Sequence, residues 1–131
     1  VTVLRLTSAH DCGRAINPIM VENQIHLGVT QAAGYALAEE FIIDESTGVV
    51  LNPDLLDYKI MTILDVPKGD DFKGIYIERP SAWGAWGAKG FSETGATSGA
   101  PAIVNAVYNA IGVRVRGEKV TPAAILEALA K

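Results

Sequence analysis

Apolar and polar residues alternate from Val1 to Ala9 at the start of the chain. A period of two places successive side chains on opposite faces of the backbone, which is typical of a β-strand. The segment Asp11-Cys12-Gly13-Arg14 interrupts this alternation. The pattern therefore predicts a first strand over residues 1–9, followed by a break.

A long helix is predicted next. Asn17 is a favourable N-cap, and Pro18 is favourable at the first helical position. From there to residue 39 or 40, apolar residues recur at helical spacing: Ile19, Val21, Ile25, Val29, Ala32, Ala33, Ala36 and Leu37. Gly28 and Gly34 lie inside this helix, where each costs about 1 kcal/mol relative to alanine. They indicate either close packing against another backbone or the approach of a ligand.

Shorter elements follow. Apolar triplets at residues 41–43 and 49–51 flank a polar turn that contains Gly48, which predicts a β-hairpin. A short strand is predicted over residues 75–78. Two more helices are predicted, over residues 101–111 with Gly112 as a stop, and from Pro122 to Leu129. Sheet and helix without regular βαβ alternation predict an α+β fold.

Composition narrows the class of protein. The chain has 131 residues, 49% of them hydrophobic, which suits a single domain over residues 1–131. A formal net charge of −4 without a dense basic patch argues against nucleic acid as a partner. No apolar run approaches the roughly 18–20 residues that span a bilayer. The single cysteine, Cys12, cannot form an internal disulfide, so a cytoplasmic protein is predicted.

The stretch from Gly84 to Gly99 surrounds one acid, Glu93, with glycines. Glycines let a backbone approach a ligand and expose its N–H groups as donors. The stretch matches neither a phosphate-binding P-loop, nor a GxSxG nucleophile elbow around Ser92, nor a GxGxxG dinucleotide motif. A lone glutamate in such a loop is usually a solvated turn residue, although a carboxylate held away from water can act as a general base.

Four other residues stand out. His10 and Cys12 could offer two metal ligands from one strand, but nothing nearby completes a tetrahedral set, so no metal site is predicted. His26 is interpreted as a core histidine with its hydrogen bonds satisfied. Gln31 lies mid-helix, and the partners of its amide are either neighbouring backbone groups or a polar cofactor.

Taken in order, several segments resemble the large subunits of the xanthine dehydrogenase/aldehyde oxidase family of molybdenum hydroxylases. The segments are residues 11–18, 24–26, 31–34, 56–59 with Thr62, 65–67, 87–93 and 101–112. Gly-Ala-Lys-Gly-Phe-Ser-Glu at residues 87–93 resembles the family's active-site motif. Linked motifs in the right order are far more specific than one alone. The resemblance implies the C-terminal portion of a molybdopterin-binding domain, part of a larger subunit, with a long helix, a β-hairpin and further helices.

The resemblance implies that Glu93 is the catalytic base in a reaction that inserts water-derived oxygen at an electron-poor carbon. The implied substrate is an N-heteroaromatic compound, an aldehyde or a related compound. Gln31 matches a family glutamine that hydrogen-bonds the pterin cofactor. Four more residues are expected to border that cofactor: Lys89, Gly90, Phe91 and Ser92. Many family members have glycine where this chain has Ser92, and this difference leaves the substrate open.

The implied cofactor is molybdenum-molybdopterin, expected in its cytosine dinucleotide form. Electrons would leave through 2Fe-2S clusters and FAD on partner subunits or domains, because one cysteine cannot ligate a cluster. The implied partners are the remainder of the molybdenum subunit, the iron–sulfur and FAD subunits, and a small-molecule substrate. The alternative is a structural or assembly fragment of the large subunit that is inert in isolation.

Overall fold

The computed structural model describes residues 1–117 and 119–130. Over these residues the chain forms strands and helices in the order β1 (Leu6–Asp11), α1 (Pro18–Leu37), β2 (Phe72–Ile77), α2 (Thr94–Ile111) and α3 (Pro122–Leu129). Short 3-10 turns precede β2 and α2, at Gly69–Asp71 and Ala85–Gly87. This mixture confirms the predicted α+β class.

The two strands pair in parallel, with Leu6 opposite Phe72 and Asp11 opposite Ile77. The predicted first strand was wrong at both ends, because residues 1–5 lie outside the ladder and pairing continues to Asp11. Cys12 N–H even donates to the Ile77 carbonyl at 3.0 Å, beyond the expected break. The extent of β1 is therefore set by where β2 lies, and local alternation does not contain that information.

Helix α1 begins as predicted, since Asn17 Oδ1 accepts a hydrogen bond from Met20 N–H at 3.2 Å. It ends at Leu37, slightly before the predicted end, because two successive N–H groups beyond it fold back onto the Gly34 carbonyl. The centre and C-terminal half of its apolar face are buried. Ile19 is 71% exposed, so the predicted apolar face was too long at the N-terminal end.

Helix α2 starts at Thr94, well before the predicted start at Pro101, and Pro101 lies inside it. Proline was interpreted as a helix start because its fixed φ suits the first turn. The predicted stop is confirmed, since Gly112 adopts a left-handed φ of 72°. Helix α3 also begins as predicted, with Thr121 Oγ1 accepting from Ala124 N–H at 3.2 Å.

Helices α1 and α2 touch through small residues. A Cβ added to Gly28 would lie 2.9 Å from the Gly95 Cα, and one added to Gly99 would lie 2.5 Å from the Ala32 Cβ. Close backbone packing is thus confirmed as a reason for Gly28. Beyond this contact lies the buried core: Ala33, Ala36, Leu37, Ile103, Val107 and Val120.

The predicted hairpin is confirmed as a turn rather than as two regular strands. Ile43 and Val50 form an isolated antiparallel bridge, and Asp44 N–H donates to the Val49 carbonyl at 2.9 Å. Gly48 has a φ of +73°, as a glycine at this turn allows. The flanking triplets are largely exposed, so little apolar burial stabilises a longer ladder.

The chain exposes a large surface for its mass. Its accessible surface is 8966 Å², whereas a monomeric protein of this mass exposes about 6,700 Å². Large apolar side chains contribute to the excess, including Leu4 at 80%, Leu64 at 78% and Trp83 at 96% exposure. None of the described helices is long and apolar enough to cross a membrane.

Candidate functional site

The glycine-rich stretch is attached by its backbone to the end of β1. Lys89 N–H donates to the Cys12 carbonyl at 3.1 Å, and Gly13 pairs with Ala88 in an antiparallel bridge. A Cβ on Gly13, whose φ is +70°, would lie 2.4 Å from the Gly87 carbonyl oxygen, so glycine is required there. We call this contact of residues 12–14 with residues 87–89 the seam.

An ion pair lies beside the seam. Lys89 Nζ is 2.6 Å from Asp11 Oδ2, and Asp11 Oδ1 accepts a hydrogen bond from Gly13 N–H at 2.9 Å. The hydrogen bond from Lys89, followed by that from Gly13, lowers the pKa of Asp11 below its usual value. The Lys89 side chain is therefore directed to Asp11 and its N–H to the Cys12 carbonyl, so its own carbonyl oxygen is what remains to border a ligand. Sequence reasoning missed this pair because its members are 78 residues apart.

The next two residues of the motif differ in their surroundings, since Phe91 packs on β1 and Gly90 is open. The Phe91 ring meets His10 of β1 edge-on, with ring centroids 5.9 Å apart. His10 Nε2 is in turn 2.5 Å from Ser8 Oγ on the same strand. A Cβ on Gly90 would meet no atom within 4 Å, so the backbone there is open to an approaching group. Strand β1 thus positions Lys89 and Phe91 and leaves Gly90 accessible.

Glu93 directly precedes α2, and its side chain does not cap the helix. Ser92 Oγ donates to Glu93 Oε1 at 3.4 Å, and no ion pair to Glu93 is found within residues 1–117 and 119–130. The carboxylate is exposed in this chain rather than held away from water. Next to it, the buried Thr94 Oγ1 has no hydrogen-bond partner among the described atoms. Thr94 was not among the predicted site residues.

Gln31 lies half-buried on α1 and donates from Nε2 to Tyr35 Oη at 2.5 Å. Its side-chain partner is therefore a tyrosine one helical turn away, which neither expectation named. Gln31 and Glu93 share no hydrogen bond in the described structure, and they lie on neighbouring elements that meet at the contact of Gly28 with Gly95. The fold brings the two regions of the predicted site together without bonding their side chains.

The two remaining candidate residues, His26 and Cys12, lie in packed surroundings. His26 stacks on Phe72 at 4.7 Å, but its buried Nε2 has no partner in the described part of the chain, so the expectation of a satisfied histidine was wrong. Cys12 is 2% exposed, and burial raises the pKa of its thiol. Among the described residues, no cluster of three or more His, Cys, Asp or Glu side chains could hold a metal ion.

Comparison with known proteins places this geometry in a family. Residues 1–67, about half of the chain, match the family model for the molybdopterin cofactor-binding domain. The chain is 39% identical over 127 residues to the xanthine dehydrogenase molybdenum-binding subunit of Escherichia coli O157:H7, covering 97% of this chain and 16% of that protein. It is 33% identical over 130 residues to the aldehyde oxidoreductase molybdenum-binding subunit of E. coli K12, covering 98% of this chain and 17% of that protein.

A solved structure agrees with this placement. Quinoline 2-oxidoreductase from Pseudomonas putida 86 superposes with a TM-score of 0.85 at 36% identity, covering 99% of this chain and 16% of that one. The chain therefore spans about one sixth of the length of the proteins it matches. From the family match, the identity to the molybdenum-binding subunits and the shared fold, the chain belongs to the molybdopterin cofactor-binding domain family of the xanthine dehydrogenase and aldehyde oxidase type large subunits.

Proposed function

We propose that this chain is the component of a molybdenum-dependent hydroxylase that contributes the catalytic base, Glu93. The observation that carries the proposal is the Glu93 carboxylate, which is free of ion pairs in the described structure and follows a loop anchored by the seam. The reaction inserts water-derived oxygen at an electron-poor carbon. The similarity to a molybdenum-binding subunit over 97% of the chain supports this role.

The residues around Glu93 fit a polar, anionic cofactor. Gly90 is open to close approach, and the buried Thr94 hydroxyl lacks a partner among the described atoms. The first turn of α2 has no side-chain cap, and the N–H groups of such a turn attract anions. Molybdopterin carries a phosphate and a pterin with several hydrogen-bonding groups. We infer that these residues border it, together with Gln31 through its amide.

The anchored loop holds Glu93 where it can act as a proton acceptor. When bound, the molybdenum cofactor supplies a Lewis acid and a two-electron redox centre. Glu93 accepts, at a carboxylate oxygen, the proton of the water that provides the inserted oxygen. Ser92 Oγ, hydrogen-bonded to Oε1, helps to orient this carboxylate. The seam fixes the backbone before Glu93, which limits the entropy lost when the carboxylate takes its reactive position.

The substrate class and the partners follow from the same proposal. Quinoline 2-oxidoreductase and nicotine 6-hydroxylase are named for N-heteroaromatic compounds, and aldehyde oxidoreductase for aldehydes. We infer a substrate of one of these two classes. The cofactor is inferred to be the cytosine dinucleotide form. Electrons leave through 2Fe-2S clusters and FAD on partner subunits, in an assembly that works in the cytoplasm.

The direct test replaces Glu93 with glutamine in the complete, cofactor-loaded enzyme. Glutamine keeps the shape of the side chain but cannot accept the proton, so kcat should fall by at least about a hundredfold. Molybdenum content, measured by elemental analysis, should be unchanged. The matched control is Glu45→Gln in the exposed hairpin turn, which should leave both quantities unchanged.

Unchanged turnover of Glu93→Gln with molybdenum retained would contradict the catalytic role and favour a structural one. The assembly is tested separately on the enzyme purified without dissociating its partners. Molybdenum and iron in a particle much larger than the 13.9 kDa of this chain are expected. A metal-free particle of about the chain's own mass would contradict the proposed assembly.

A further inference from the structure

An apolar groove of about 590 Å³ lies between the start of the chain and α2. Every residue from Val1 to Ala9 lines it. A strand that turned one face to the groove would contribute only alternate residues, because successive side chains point to opposite sides. The segment therefore borders the groove with backbone as well as side-chain atoms, and residues 1–5 belong to no strand in the described structure.

The opposite wall is one face of α2. Four lining residues with small side chains follow each other at helical spacing: Gly99, Ala102, Ala106 and Ala110. Ile103 and Val107, each 8% exposed, lie between them at the base of the groove. Small side chains along a helix leave space in which another backbone can lie close. The wall thus suits an extended segment better than a bulky globular surface.

The strand pattern of residues 1–5 has no partner in the described structure. Alternation predicts a strand from Val1, but the ladder begins only at Leu6. The sheet described here has two parallel strands, and one edge of β1 is bonded to β2. Parallel sheets are generally larger and covered on both faces, and isolated strand pairs are marginally stable. A further strand on the free edge of β1 would pair with residues 1–5 and would enlarge the two-stranded sheet.

We propose that an extended apolar segment from the remainder of the molybdopterin-binding subunit pairs with the backbone edge of residues 1–9 and packs on the small-residue face of α2. This rests on the proposed function, in which the chain works within a larger subunit. The matched relatives are about six times longer than this chain, so they contain the additional sequence. The charged lining residue Arg5 is engaged by Asp71 at 2.9 Å, which favours an uncharged occupant.

Backbone hydrogen exchange in the complete subunit tests the proposal. Strand pairing on one edge bonds alternate N–H groups, so about half of the amides in residues 1–5 should be protected. Their exchange should be at least about a hundredfold slower than in an unstructured peptide. Uniformly fast exchange over residues 1–5 would overturn the proposal, because it would leave the groove open or filled without strand pairing.

A variant pair makes the test specific to the groove. Ala106→Phe fills it, so exchange in residues 1–5 should rise by at least about tenfold while α1 stays protected. The matched control, Asn109→Phe, lies on α2 outside the lining residues and should change nothing there. Equal effects of the two variants would overturn the proposal. So would protection that weakens on dilution, since this indicates a second copy of the chain as the occupant.

Failure of the groove proposal is distinguishable from failure of the proposed function. The exchange measurement reports on backbone pairing, and Glu93→Gln should not alter it, because Glu93 does not line the groove. Loss of turnover in Glu93→Gln together with unprotected residues 1–5 would leave the catalytic role standing and reject the strand. Unchanged turnover in Glu93→Gln together with protected residues 1–5 would support the strand and reject Glu93 as the base.

Discussion

At the scale of single residues, Asp11 connects the two halves of the candidate site. Its carboxylate receives the Lys89 ammonium on one oxygen and the Gly13 N–H on the other. It therefore stabilises both the turn after β1 and the loop that leads to Glu93. Charge-assisted hydrogen bonds of this kind are shorter and stronger than neutral ones. Since both side chains are about one-third exposed, we assign the pair a positioning role rather than a large part in stability.

The Asp11 pair predicts a pH dependence with a definite sign. The folded pKa of Asp11 lies below its ordinary value of 3.8, so the pair stabilises the fold above pH 3.8 and is lost as pH falls through the lower, folded value. Titration of the Asp11 carboxyl carbon by NMR should give a midpoint below 3.8. Lys89→Met should raise that midpoint, whereas Lys73→Met, on an exposed position of β2, should not.

An unshifted Asp11 midpoint, or one that Lys89→Met leaves unchanged, would show that the ion pair does not form in solution. The same variant should speed backbone exchange over residues 89–92, because the loop would lose its side-chain anchor. The seam's backbone hydrogen bonds remain in this variant, so the loop should loosen without detaching.

Some site residues could be predicted from the sequence only through the family resemblance. Glu93 was predicted as the base because residues 87–93 resemble the family motif, whereas a lone acid in a glycine-rich loop is by itself typical of a solvated turn. The Asp11–Lys89 pair could not be predicted, because it depends on how the fold brings β1 and the loop together. The Gln31–Tyr35 hydrogen bond was missed although its members are one helical turn apart, a spacing at which side chains regularly meet.

At the scale of elements, the crossing of α1 and α2 positions the start of α2, and hence Glu93. Gly28 and Gly95 touch backbone to backbone, so neither position has room for a Cβ without a shift of the helices. Such a shift would move the end of the glycine-rich loop. The crossing therefore connects helix packing to the position of the proposed base.

Gly28→Ala is predicted to destabilise the fold. Alanine gains about 1 kcal/mol in helix propensity, but its Cβ would lie 2.9 Å from the Ala96 N and the Gly95 Cα, and overpacking costs about 1–3 kcal/mol. The loss should appear in urea unfolding followed by circular dichroism. Leu27→Ala, at a neighbouring position that is 57% exposed, should change stability much less. Stabilisation by Gly28→Ala would show that the helices separate at little cost.

Element types were predictable, and their boundaries less so. Asn17, Gly112 and Thr121 gave correct ends because caps are local chemistry. The predicted start of α2 was wrong because Pro101 is a better start signal than Glu93, since a proline inside a helix removes one backbone hydrogen bond. Parallel pairing of β1 with β2 could not be predicted, since no local pattern encodes a partner far along the chain.

At the scale of the whole molecule, the excess surface and the unpaired strand edge have one cause. Both are surface that has no packing or hydrogen-bonding partner in the described structure. A chain of this mass that exposes 8966 Å² has not buried its apolar groups as an independent domain does. Trp83 and Leu4, both largely exposed, lie in segments next to the seam and the groove, respectively. Their exposure is consistent with the proposed larger subunit, in which other parts would cover them.

The long stretch of sequence between the two sides of the seam also has a consequence for folding kinetics. The seam joins residues as far apart as Cys12 and Lys89, which are 77 positions apart, and closing a loop of that length costs roughly 4 kcal/mol of chain entropy beyond a constant. Helix α1 needs only local contacts and should form within microseconds, whereas the seam must wait for that closure. We therefore expect pulse-labelled exchange during refolding to protect α1 before Gly13 and Lys89. Simultaneous protection would contradict this order. On this view, the loop that leads to Glu93 is among the last parts of the chain to become ordered.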